Sequence, residues 1–95
     1  MPAYLISEID VSDPVAYEPY KQAAAAAISA HQGRYVARGG RTVSLEGAAP
    51  KRIIVLQFDS VEAAEKFYHS PEYQKTTPLR KKASASSRLY IVEGQ

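Results

Sequence analysis

Apolar residues follow two periods along this chain, and two segments are apolar at nearly every position. Over residues 3–11, Leu5, Ile9 and Val11 share one face of an extended segment with Ser7, while Tyr4 and Ile6 share the other with Glu8. Residues 53–56 read Ile-Ile-Val-Leu without a break. A strand that is apolar on both faces has to be covered on both. Between these segments the period changes to that of a helix. Tyr17, Tyr20, Ala24, Ala27 and Ile28 fall on one face at helical spacing, in a stretch enriched by the alanine run 23–27.

The helix signals are equally local. Asp13-Pro14 predicts an N-cap and first turn, and the helix runs to about residue 30 before His31, Gln32 and Gly33 end it. Pro19 conflicts with that start, because it lacks an amide donor and crowds the turn before it. The expectation is a short turn over 13–17 and a main helix restarting near Pro19. A second strand is expected over 33–37, with Arg38-Gly39-Gly40 as a bend or bulge and 41–46 as its continuation. Residues 47–50 read as a turn and 52–58 as the third strand. Ser60 caps a helix over 61–69 that buries Val61, Ala64 and Phe67. Ser70-Pro71 starts a short helix through about residue 76, and Pro78 opens another turn through 83. Residues 84–87 read as a polar linker and 88–93 as the fourth strand.

The resulting order is strand, helix, strand, strand, helix, strand. It makes an α+β, ferredoxin-like split βαβ sandwich (βαββαβ) with an antiparallel four-stranded sheet. The first and third strands are central in that topology, and they are the two whose patterns ask for cover on both faces. Helices cover one face. Another copy of the same sheet is the simplest cover for the other, so a homodimer is expected.

Size and charge narrow the function classes. The 95 residues form a single domain, 1–95. A chain this short buries roughly 60–65% of its unfolded surface, which makes help from a partner subunit valuable. It has no cysteine, so disulfides, iron–sulfur clusters and thiol nucleophiles are excluded. A net charge of +2 with mixed signs gives no reason to expect a nucleic acid or a membrane as partner. The N-terminus lacks a basic leader, and no apolar run approaches the roughly 20 residues of a membrane span, so a cytoplasmic protein is expected.

Several motifs together resemble one family. Tyr4-Leu5-Ile6-Ser7-Glu8, Gly33-Arg34-Tyr35, Ala37-Arg38-Gly39-Gly40, Leu45-Glu46-Gly47, Ser70-Pro71-Glu72-Tyr73-Gln74 with Arg80, and Ile91-Val92-Glu93-Gly94 look like the domain of unknown function family 1330. The resemblance spans almost the whole chain in order. It implies a dimeric α/β barrel in which two ferredoxin-like sheets face each other, and it implies no particular reaction. Other proteins on that fold include cofactor-free monooxygenases, haem-degrading enzymes and muconolactone-isomerase-like proteins, an analogy of fold alone.

Candidate chemistry is sparse. Arg38 and Glu46 flank glycines that let backbone approach a ligand, and they offer an anion fork and an acceptor or base. The plainer reading is a bulged edge hairpin. His69 ends a helix, where an imidazolium that favours the dipole is the plainer reading and catalysis the sharper one. Tyr17, Tyr20, Tyr68 and Tyr73 either line a pocket between helices and sheet or fill the core with hydroxyls at its rim. Arg80, the first of three basic residues in a row, is placed to reach the carboxylate of Glu72 or Glu46, or to close over an anionic ligand. No metal-ligand spacing exists and no cofactor motif is present, so neither a metal nor a cofactor is expected. The expected ligand site therefore comprises Arg38, Glu46, Tyr68, His69 and Arg80. The protein reads as a homodimer that binds a small organic molecule between helices and sheet. The alternatives are a cofactor-free monooxygenase or isomerase and a structural or regulatory dimer. An RNA-recognition sheet is excluded by aliphatic residues where stacking rings belong.

Overall fold

The alternating and unbroken apolar segments become the two inner strands of one sheet. In the computed structural model, which describes residues 1–95, β1 (Ala3–Val11) and β3 (Arg52–Phe58) pair antiparallel, with β2 (Arg34–Arg38) outside β3 and β4 (Ser84–Glu93) outside β1. The strand order is therefore β2-β3-β1-β4. Helices α1 (Pro14–Ala30), α2 (Val61–His69), α3 (Pro71–Gln74) and α4 (Thr77–Ala83) form the second layer. The Cα envelope measures 32 × 32 × 17 Å, the thickness of one sheet and one helix layer. This is the ferredoxin-like α+β sandwich that the element order predicts.

The core lies between the layers. Leu5 and Ile9 of β1, Leu56 and Phe58 of β3, Tyr17, Tyr20, Ala24, Ala27 and Ile28 of α1, Ala64 and Phe67 of α2, and Tyr73 of α3 are all buried there. The buried face of α1 is the one its periodicity predicts. Asp13 caps it, its Oδ1 accepting from the Ala16 amide at 3.1 Å. At the other end Gln32 takes φ +62°, while the Gln32 and Gly33 amides donate to Ser29 and Ile28 carbonyls at 3.1 and 2.9 Å. That closes the helix as a Schellman turn. Gly33 is required for a separate reason: a Cβ there would stand 2.8 Å from the Phe58 ring.

Three local expectations need correction. First, α1 does not break at Pro19 but runs from Pro14 to Ala30 in one piece. Pro19 leaves the Val15 carbonyl without its helical donor, and both residues are exposed, so that carbonyl is open to solvent rather than buried unpaired. Second, residues 41–46 do not continue β2 as a strand. Arg38 is paired with Ile54, close to where β3 begins at Arg52, and Gly39 at φ +64° turns the chain away while its amide donates to the Ile53 carbonyl at 2.9 Å. No strand is left for 41–46 to pair with. Third, residues 84–87 are not a linker but the start of β4. Val11 pairs with Ser84, Asp10 with Ser86 and Ile9 with Ser87, and Ser86 Oγ donates to Asp10 at 3.0 Å. β1 extends this far and supplies a ladder, and serines suit an edge strand whose outer side meets water.

Candidate functional site

The most constrained polar group in the molecule is built from α1, α3 and α4. Ser70 holds α3 in place: its Oγ accepts from the Tyr73 amide at 3.2 Å and donates to the Phe67 carbonyl at 2.7 Å. Thr76, fully buried, donates to the Tyr73 carbonyl at 2.6 Å. Tyr73 is thereby fixed at both ends of its short helix, and its phenol meets two partners. Its oxygen accepts from Arg80 Nη1 at 2.6 Å and shares a bond with the Tyr20 hydroxyl at 2.9 Å.

Arg80 is only 5% exposed, yet no carboxylate lies within ion-pair distance of it and its Nε has no partner. A buried guanidinium answered by phenols rather than by a counter-charge is unusual, because buried charges are normally paired. Burial pushes the Tyr20 pKa well up, with the neighbouring Tyr73 adding to the effect. Tyr20 is therefore a neutral phenol at ordinary pH.

Beside this group lies a narrow space of about 20 Å³ lined by Ser7, Tyr20, Tyr73 and apolar neighbours. That is room for about one water molecule. Ser7 Oγ is buried there without a partner. Ser7 was legible as the single polar position on the inward face of β1, but that reading gave it no role.

The five residues expected to form a ligand site occupy separate places. Tyr68 and His69 sit together at the end of α2, with rings 5.1 Å apart, and line a hollow of about 120 Å³ against Leu89 and Ile91 of β4. The Tyr68 ring is 5.6 Å from that of Tyr73, which connects this hollow to Arg80 through one shared tyrosine. Arg38 lies elsewhere, its guanidinium 4.3 Å over the Tyr35 ring on β2. Glu46 stands exposed in the segment between β2 and β3, and neither Arg38 nor Arg80 pairs with it. Glu72 is likewise not the partner of Arg80, since its carboxylate bonds His31 Nε2 at 2.9 Å. That contact from the His31 ring holds the Glu72 pKa below its usual value.

The arrangement has no group of three or more His, Cys, Asp or Glu side chains able to hold a metal ion, and no helix long and apolar enough to cross a membrane. What it offers is hydrogen-bond donation and positive charge in an apolar setting.

The topology and layers define a ferredoxin-like α+β protein, and solved structures agree over nearly the full chain. A protein of unknown function from Rhodopseudomonas palustris is 19% identical over 99% of this chain and 82% of its own, with a TM-score of 0.76. A dimeric ferredoxin-like protein of unknown function from Bacteroides fragilis is 14% identical, with 98% and 96% covered and a TM-score of 0.68. SnoaB, a cofactor-independent oxygenase from Streptomyces nogalater, is 12% identical, with 99% and 93% covered and a TM-score of 0.71. At these identities the likeness is one of fold. The chain itself belongs to the family described as Domain of unknown function (DUF1330), whose model matches residues 2–95. No curated protein matches it in sequence.

Proposed function

We propose that this protein acts as a homodimer joined through the open face of its sheet, each subunit one domain that holds a small organic molecule between helices and sheet. One observation carries the dimer. The face of the sheet away from the helices has an apolar centre that is not fully buried within the chain: Ile6 opposite Val55 and Tyr90, flanked by Ile53 and Val92. Tyr90 and Val92 are 41% and 48% exposed. Polar residues border it, with Arg88 3.9 Å from Glu8 and the Tyr90 hydroxyl also on Glu8. An apolar centre with a polar rim is the anatomy of a protein interface. The Bacteroides fragilis relative, described as dimeric, shares the fold.

The ligand half of the proposal takes Arg38, Glu46, Tyr68, His69 and Arg80 as its candidate residues, and it is supported by Tyr68 and His69, which share a hollow of about 120 Å³ against β4. A second reading makes the protein a cofactor-free oxygenase or isomerase. It is favoured by the buried Arg80–Tyr73–Tyr20 group, which suits an enolate or phenolate, and SnoaB is an oxygenase on this fold. The small volume of about 20 Å³ beside it weighs against turnover there and toward a structural or regulatory dimer.

Light scattering on the size-exclusion peak tests the dimer. The protein should elute at twice its chain mass, and Val55→Asp should elute folded at the chain mass. A Val55→Asp variant that remains dimeric would remove this face from the interface.

A further inference from the structure

A second seam, at the far end of the sheet from the Tyr68–His69 hollow, carries charge that the molecule does not neutralise. Arg52 begins β3 on the same face as Ile54, Leu56 and Phe58, so its side chain runs into the helix layer. There its guanidinium lies 5.5 Å over the Tyr17 ring of α1. The backbone is shaped to seat it: a Cβ on Gly39 would fall 2.2 Å from Arg52 Nη1, and Gly39 holds the positive φ that a side chain resists. The guanidinium therefore packs against bare backbone on one side and an aromatic ring on the other.

No carboxylate is within ion-pair distance of Arg52, and its Nε is buried without a partner. The Tyr17 hydroxyl is also buried, on a residue only 3% exposed, and its one polar neighbour is the Arg52 guanidinium, with no well-formed hydrogen bond between them. Burial raises the Tyr17 pKa and the nearby Arg52 opposes that rise, so the phenol remains a donor.

Tyr17 and Arg52 are among the residues lining an open cleft of about 240 Å³ between α1 and the β1 and β3 ends, with Val11 and Pro14 as apolar wall. Lys21 and Lys51 stand on its rim. The one acid there, Glu18, is bound to Lys21 at 3.1 Å. Three cations against one already paired carboxylate leave the cleft positive.

We propose that this cleft binds the carboxylate of a small organic acid, received by the Arg52 fork and the Tyr17 hydroxyl with the acid's apolar body against Val11 and Pro14. The inference rests on the small-molecule reading above and gives it a place and a ligand chemistry. A planar two-oxygen group matches a guanidinium fork, and a phenol donor beside it suits a carboxylate oxygen. The volume suits an acid the size of benzoate.

The test is a heteronuclear NMR titration of the full chain with sodium benzoate at constant ionic strength, with benzamide as the neutral control. Saturable shifts are expected at Tyr17, Gly39 and Arg52, with benzamide about tenfold weaker or worse. Arg52→Gln should weaken benzoate by about tenfold or more, and Tyr17→Phe by a few-fold with unchanged melting. If Arg52→Gln fails to fold, Gly39→Ala serves instead, since it keeps the charge and evicts the guanidinium from its seat.

Equal binding of benzamide, undiminished binding by the Arg52 and Gly39 variants, or tighter saturation of the same signals by inorganic phosphate would each overturn the assignment. Shifts confined to Tyr68 and His69 would overturn the cleft while leaving the small-molecule reading standing. No saturable shift with benzoate anywhere would also overturn the cleft, and binding of another compound would then have to carry the broader reading alone.

Discussion

The two faces of the sheet are made by the same strands from the same kinds of residue, and only one of them is finished within the chain. On the helix side, Leu5, Leu56 and Phe58 are 1–3% exposed beneath α1 and α2. On the other side, Ile6, Ile53 and Val55 occupy equally central positions and are only half-buried. Position in the sheet is common to both sets; cover is what differs. A residue's burial in this molecule is thus decided by the layer above it, and the open face states what the chain lacks. Apolar area at the centre of a sheet, rimmed by Glu8, Arg88 and Gln57, is worth roughly 25 cal/mol per Å² once a second surface removes it from water.

Mutations sharpen the contrast, and the largest effect belongs to the covered face. Phe58→Ala removes a ring packed on Phe67 at 5.1 Å and on Gly33. It should cost about 3–5 kcal/mol in urea unfolding, enough to remove most of a small domain's stability. Val55→Asp, one strand position away from Ile54 and on the opposite face, should act on association instead. Its expected signature is a loss of the concentration dependence of Tm, which only a dimer possesses.

The next effect separates Tyr73 from Arg80. Tyr73→Phe strips the buried guanidinium of its bonded acceptor and should destabilise by about 1.5–3 kcal/mol. Arg80→Met removes the charge together with its need for a partner and should cost less, or even stabilise, because an apolar replacement for a buried charge is often neutral or better. Chemical denaturation of the two variants decides the order. An Arg80→Met protein less stable than Tyr73→Phe would mean that the guanidinium is satisfied by more than these phenols.

The smallest effects are in pH. Glu72 has its pKa lowered by the His31 contact, so its contribution is present above its usual value of 4.5 and is lost as pH falls through the lower folded value. Glu72 is exposed, and Glu72→Gln should flatten the acid limb of a Tm–pH curve only slightly. Tyr20 behaves with the opposite sign. Its pKa is raised by burial, so stability is full below the usual 10.0 and falls as pH rises above it, where the unfolded chain ionises first. Tyr20→Phe should shallow that alkaline decline.

Most of the fold was legible because its signals are local or periodic. Asp13, Ser60 and Ser70 each cap the helix they were expected to cap, and the α1 face was read correctly from spacing alone. The misreadings fall where a distant partner decides. Residues 41–46 are not a strand because β3 starts at Arg52 and gives them nothing to pair with. Residues 84–87 are strand because β1 is long enough to receive them. Pro19 is tolerated because its side of α1 faces water.

The chemistry was far less legible. Arg80 stood out as one of three basic residues in a row, but its partner is Tyr73, not the acid expected of it. Arg52 drew no attention as the first residue of an apolar strand. Its significance comes from Tyr17 and Gly39, 35 and 13 positions away, and no periodicity connects them.

Sedimentation velocity across a dilution series tests the central claim most directly. The account predicts a single species of twice the chain mass at micromolar concentration, dissociating only on dilution, and a monomer when Val55 is replaced by Asp. A folded, stable monomer of the unaltered chain at micromolar concentration would contradict it, because the open sheet face would then be at ease in water.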